Sequence, residues 1–162
     1  MTEIRGDSAL QLDDSALHLL HRADQCAFNA FYVSIDRQAL TPRQYIVLST
    51  IREQGGIDQS TLVRRTGIDR STLSDIVRRL VRKGFLERQR KEADARAYAI
   101  RLTESGNEAL EEAEPVVRAA EERLLAILPD DHVAQFKADL KRISEHREQM
   151  LEGFDAREPA QS

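Results

Sequence analysis

The stretch that most constrains this chain is residues 67–84, which begins and ends on a glycine. Asp69, two residues after Gly67, can accept the free N–H groups of a first helical turn, so it reads as an N-cap. Leu73, Ile76, Val77, Leu80 and Val81 recur at helical spacing and make one apolar stripe. Arg82 and Lys83 suit the negative end of the helix dipole, and Gly84 stops the helix. The opposite face carries Ser71, Ser74, Asp75, Arg78 and Arg82, with Arg70, Thr72 and Arg79 at its margins. Short hydroxyls near a helix start can approach bases and phosphates. An arginine can bond guanine through two parallel N–H groups or hold a phosphate. A solvated amphipathic helix would satisfy the same pattern, so the flanks have to decide.

Upstream, residues 58–67 make a helix of barely two turns, capped by Asp58 and ended by Gly67. Two short helices joined at a glycine form the helix-turn-helix pattern. Downstream, residues 85–90 read as a strand, 91–95 as a polar tip and 96–102 as a second strand with Tyr98, Ile100 and Leu102 on one side. That is a charged hairpin, a wing, and a basic tip such as Arg96 suits a narrow, electronegative minor groove. Ser60 and Thr61 on the first short helix, with Arg88 and Lys91 on the hairpin, complete the candidate DNA contacts. Charge agrees with this reading. The chain carries −4 overall, yet residues 60–101 hold 12 Lys and Arg against 5 Asp and Glu, or +7. Residues 1–59 carry −3 and residues 102–162 carry −8, so a basic middle lies between acidic ends.

Four segments together resemble the multiple-antibiotic-resistance-regulator (MarR) family. They are residues 40–48, with Leu40, Thr41, Pro42, Gln44 and Tyr45; residues 68–74; Asp94 and Arg96; and residues 102–106. The resemblance covers roughly residues 10–150. It implies a homodimeric winged-helix transcription regulator, usually a repressor, released from DNA by a small ligand. By position, Asp94 and Arg96 match the family's wing pair, the Asp steadying an Arg that enters the minor groove. Family members often have a further Arg where this chain has Ala97, which leaves this wing less basic.

The fold class expected is mostly α with a small β-hairpin wing: a winged helix-turn-helix core over residues 41–102, with helical dimerisation regions at 10–38 and 104–151. Residues 12–38 read as one long helix whose stripe of Leu12, Leu19, Leu20, Ala27, Phe31 and Ile35 is too long for a small core to cover. Thr41 caps the next helix, with Pro42 in its first turn, and that helix runs to Gln54 before Gly55 and Gly56. A further helix runs from Thr103 to about Leu128 with Pro115 as a kink, and a last one from Pro129 to about Leu151. Long apolar faces on both sides of a small reading head are most simply buried against a second copy, which would also set two recognition helices one DNA turn apart on an inverted repeat. An intramolecular bundle is the alternative. With 162 residues the chain suits one domain with helical extensions. It shows neither a membrane-length apolar run nor a signal-peptide core, so a cytoplasmic protein without a membrane partner is expected. The polar ends, 1–8 and roughly 153–162, read as frayed.

Other chemistry finds little support. There is no nucleophile elbow, phosphate-cradling loop or paired-carboxylate setting, so an enzyme is not expected, nor is a cofactor. His18, His21, His132 and His146 lack metal-ligand spacing, and no metal is expected. The single Cys26 excludes an intramolecular disulfide. Organic-hydroperoxide repressors of the MarR family use a cysteine in the first helix, which keeps a redox sensor as an alternative, but Cys26 stands beside Ala27, Phe28, Phe31 and Tyr32 and reads as packed. The resemblance also implies a ligand site where the dimerisation helices meet the reading head, at positions matching Arg22, Phe28, Asn29, Tyr32, Thr41 and Tyr45. Residues 20–25 resemble a subgroup that binds aromatic acids or their coenzyme A thioesters. An arginine beside aromatics suits an aromatic carboxylate. The partners expected are therefore double-stranded DNA, a second copy and a small effector. A protein–protein adaptor using the winged helix as a docking surface is the alternative from another class.

Overall fold

The computed structural model describes residues 11–34, 40–91 and 94–146, the side chains of 34, 90, 91 and 94–97 excepted. Within them six α-helices and one antiparallel hairpin follow in the order α1 Ala16–Ser34, α2 Pro42–Gln54, α3 Gln59–Thr66, α4 Arg70–Arg82, β1 Leu86–Lys91, β2 Asp94–Leu102, α5 Glu104–Leu125 and α6 Asp130–Glu145. The described residues up to 121 form one compact unit and those from 122 a second.

The helix starts follow from their caps. Thr41 Oγ1 accepts from the Gln44 N–H and the Gln44 side chain accepts from the Thr41 N–H, a reciprocal capping box, with Pro42 in the first turn where no N–H is needed. Asp58 accepts from the Thr61 N–H at 2.9 Å, and Asp69 accepts from the Thr72 N–H at 2.9 Å. Asp69 also accepts from the Ser71 hydroxyl at 2.6 Å. The Ser71 and Thr72 donors hold its carboxyl well below the usual carboxylate range. The turn between α3 and α4 passes through Gly67 at φ 72°, a left-handed conformation that a side chain would strain.

Packing then orients α4. Leu73, Val77 and Leu80 are fully buried with Val47 and Leu48 of α2, Leu62 of α3 and Leu110 of α5. Each such side chain contributes about 1.5–3 kcal/mol through burial. Ile76 is half-buried, whereas Val81, expected in the stripe, is 36% exposed because it sits at the stripe's margin. In the hairpin Leu86 pairs with Leu102 and Arg88 with Ile100. Ile100 is buried and exchanges both backbone hydrogen bonds with Ile57, so a single bridge from the loop before α3 adds a third line of pairing that the sequence did not announce. Tyr98, expected on the covered side with Ile100 and Leu102, is 44% exposed because the wing runs out beyond the core.

The terminal helices differ from expectation at their starts and ends. The first helix begins at Ala16, not Leu12: Leu12–Asp14 make a 3-10 turn, and Ser15 is extended at φ −75°, ψ 118°. Its expected end near residue 38 falls outside the described residues. Helix α5 runs through Pro115 to Leu125, short of Leu128; α6 is described to Glu145 with His146 as its C-cap, and its expected end near Leu151 falls outside the described residues. No described helix is long and apolar enough to cross a membrane.

The wing meets α5 at a close backbone contact. Thr103 donates its N–H to the Phe85 carbonyl and its hydroxyl to the Gly84 carbonyl, then accepts the Gly106 N–H. A Cβ on Gly106 would stand 2.1 Å from the Phe85 carbonyl oxygen, which is backbone and cannot swing aside. Gly106→Ala should therefore destabilise the fold by about 1–3 kcal/mol despite alanine's better helix propensity. A urea titration checks it, and an unchanged or raised midpoint would refute the contact.

Asp69→Ala should lower the urea midpoint at neutral pH. The carboxyl's proton affinity is depressed in the fold. Its contribution is therefore complete above the ordinary carboxylate range and is lost as pH falls through the depressed value. The gap between parent and variant should narrow below about pH 4, and a gap independent of pH would show that the charge plays no part.

Candidate nucleic-acid interface

The outer face of α4 carries Arg70, Ser71, Asp75, Arg78, Arg79 and Arg82, all exposed, with Thr72 and Ser74 half-buried. The hydroxyls expected to reach bases are mostly committed to the fold. Ser71 donates to Asp69. Ser74 donates to the Arg70 carbonyl at 2.8 Å and accepts from Gln59 Nε2 at 2.6 Å. Thr61 donates to Asp58 at 3.0 Å. These bonds start and lock the two helices. The physical reason is local: a hydroxyl one to three residues after a capping Asp is already within its reach. Gln59, which the sequence reading passed over, pins α3 to α4 through Ser74. Only the fold brings positions 59 and 74 together, so no sequence signal marked it.

The cations remain on the surface. Arg70 reaches Ser60 Oγ at 3.5 Å, a long contact. Arg78 Nη2 donates to Asp75 Oδ1 at 2.6 Å, and both side chains are mostly exposed. Arg88 is exposed yet lies opposite Ile100 in register, so it shares a hairpin face with core-packed Leu86. Lys91, Asp94 and Arg96 have their backbones in the hairpin strands, and their side chains lie outside the described ones.

A second cluster gathers where α1 meets α2. The Phe31 ring centroid lies 6.4 Å from those of Tyr32 and Tyr45, and the Arg43 guanidinium sits 5.7 Å above the Phe28 ring. Phe31 is buried, Phe28 and Tyr45 are half-buried, and Tyr32 is 57% exposed. Of the residues matched to a ligand site, the structure thus joins Tyr32 and Tyr45 through Phe31, and gives Phe28 a cation the sequence reading passed over, Arg43. Thr41 is occupied as the cap of α2. Arg22 and Asn29 are exposed on α1. Cys26, expected to be packed, is exposed as well, because it lies on a side of α1 that the winged domain does not cover. Among the described residues no group of three or more His, Cys, Asp or Glu is placed to hold a metal ion.

Known proteins share this arrangement of elements. The model of the MarR family matches residues 40–98, from the start of α2 into β2. The crystal structure of the PcaV transcriptional regulator from Streptomyces coelicolor with its natural ligand is 30% identical, with a TM-score of 0.76 over 85% of this chain and 97% of that one. CouR from Rhodococcus jostii bound to p-coumaroyl-CoA is 28% identical, with a TM-score of 0.72 over 84% of this chain and 96% of that one. A mutant MarR from E. coli complexed with operator DNA is 27% identical, with a TM-score of 0.74 over 84% of this chain and 99% of that one. With its helix-turn-helix, hairpin and flanking helices in the arrangement these proteins share, the chain belongs to the MarR family and is a winged-helix transcription regulator, a DNA-binding protein rather than an enzyme.

Proposed function

We propose that this protein is a cytoplasmic homodimeric repressor that binds a pseudo-palindromic operator and is released by a small aromatic acid or its coenzyme A thioester. The observation that carries the DNA side is the face of α4: Arg78, Arg79 and Arg82 stand exposed on a helix whose other face is fixed by fully buried Leu73, Val77 and Leu80. A groove-reading helix needs that rigidity, since discrimination between bases depends on placing donors to within a fraction of an ångström. Arg78 reads bases; Ser60, Thr72, Arg70, Arg79 and Arg88 lie on the phosphate side; Asp94 and Arg96 carry the wing contact.

Apolar side chains left exposed on the terminal helices support a second copy. Leu17 and Val33 on α1 are 81% and 80% exposed, and Phe136, Leu140 and Ile143 on α6 are exposed as well. Exposed apolar side chains on both terminal helices are accounted for by dimerisation, which also supplies the second recognition helix.

The effector reading rests on the α1–α2 cluster. Phe28, Phe31, Tyr32 and Tyr45 offer ring faces, and Arg43 and Arg22 offer cations for a carboxylate. PcaV and CouR are recorded with a natural ligand and with p-coumaroyl-CoA, which favours this chemistry over redox sensing through Cys26.

Four results should follow. Binding to an operator fragment should fall steeply with salt, as phosphate contacts release counterions. A protein acting as an adaptor would show no such slope. Arg78→Ala should cost about 1–3 kcal/mol on the operator and relax base preference. Equal losses on operator and random DNA would make Arg78 a phosphate contact only.

Leu140→Glu should convert a dimer to monomer and abolish tight operator binding, as read by sedimentation and by gel shift. A parent protein that sediments as a monomer at micromolar concentration would overturn the two-half-site reading.

Arg43→Ala or Arg22→Ala should leave operator binding intact but blunt its relief by an aromatic acid, whereas Cys26→Ser should leave both unchanged. Loss of a peroxide response in Cys26→Ser, with both arginine variants normal, would replace the effector reading by redox sensing.

A further inference from the structure

Asp75 is the sole acidic residue within α4, set among Arg70, Arg78, Arg79 and Arg82. Its carboxylate takes one N–H of Arg78 at 2.6 Å, with 58% of the Asp side chain and 66% of the Arg side chain exposed. So exposed a pair adds little to folding, and the buried Leu73, Val77 and Leu80 hold the helix without it. Its consequence lies in what the guanidinium is left able to do.

An arginine carries five N–H donors in one planar fork. Asp75 occupies one edge of the Arg78 fork and brings a negative charge with it. A phosphate that approached Arg78 would also approach that carboxylate, and the repulsion offsets much of the attraction. The major-groove edge of guanine offers two neutral acceptors, N7 and O6, which the remaining donors can meet without that conflict. A cytosine amine nearby would add a donor for the carboxylate itself. The neighbouring hydroxyls cannot take over this selection, since Ser71 is bonded to Asp69 and Ser74 to Arg70 and Gln59.

We propose that Asp75 is a specificity-determining residue: by holding the Arg78 fork it prevents that arginine from acting as a general phosphate clamp and reserves it for a guanine edge. This rests on the DNA-reading function proposed above. On sequences without the guanine the pair stays closed, and its carboxylate penalises close approach of the backbone. On the operator the pair enters the groove as a preset fork.

The test uses the full-length protein, a fixed random-sequence duplex of about 30 base pairs, long enough for two half-sites a helical turn apart, and selection from a randomised pool of the same length. Asp75→Asn keeps the shape and removes the charge. It should bind the random duplex about 2–5-fold more tightly per protomer. Its salt dependence should steepen by about 0.9 per protomer, as each freed Arg78 gains a phosphate. The sequences it selects should lose a guanine that the parent selects in each half-site. Asp75→Glu, which restores the charge, should return all three readouts toward the parent. Asp75→Asn with unchanged affinity, slope and selected sequence overturns the inference while leaving the DNA-reading function standing. A parent that enriches no sequence from the pool overturns both.

Discussion

Everything functional in this molecule depends on the burial of one side of an 13-residue helix. Leu73, Val77 and Leu80 lose all solvent contact against side chains from α2, α3 and α5. Burial of three such residues is worth several kcal/mol, more than the surface ion pairs on the same helix can supply. The inner face therefore dictates the rotation of α4 about its axis, and the outer face receives whatever the sequence places there. Because the order of preference is so lopsided, a strongly basic outer face costs the fold little and is left available for a polyanion.

The same logic explains why hydroxyls and carboxylates near the helix starts serve structure before recognition. Asp58 and Asp69 each satisfy backbone N–H groups that would otherwise lack partners, and Thr61, Ser71 and Thr72 reinforce those two carboxylates. Gln59 then crosses from α3 to Ser74. A helix-turn-helix keeps its interhelix angle only if the short first helix, eight residues long, cannot rotate independently. Cap, turn glycine and cross-bond together remove that freedom, so the arginines are presented on a fixed frame.

Much of this was legible in the sequence because it is local. An Asp two residues after a Gly, an apolar stripe at helical spacing and a Gly at the end specify α4 with no knowledge of the rest of the chain, and Thr41-Pro42 does the same for α2. What escaped is non-local. The bridge between Ile57 and Ile100 joins positions far apart in the chain, and neither carries a special residue type. Gly106 looks like an ordinary helical glycine until the Phe85 carbonyl is set against it. The Arg43–Phe28 contact needs α1 and α2 folded together, whereas Arg22 was indicated by its match to the family's ligand site. Spacing told correctly that α1 and α6 have apolar faces. It could not tell that Ser15 would interrupt the first helix, since a serine can cap, turn or sit within a helix according to its neighbours.

The position of α2 gives the proposed effector a physical route to DNA. Its first turns carry Arg43 and Tyr45 beside the aromatic cluster, and Val47, Leu48 and Ile51, one to two turns on, are buried in the core that also holds α4. At its far end Arg52 donates to Glu114, tying α2 to α5. A ligand between α1 and α2 thus presses on a helix that is rigidly shared with the reading head, and a close-packed core passes on a shift rather than absorbing it. The size of the response is still bounded by differential binding: a tenfold preference for the DNA-incompetent arrangement supplies only about 1.4 kcal/mol. Full release therefore requires a ligand that engages both a ring face and a cation, since either contact alone falls short of the several kcal/mol that moves an equilibrium from one side to the other.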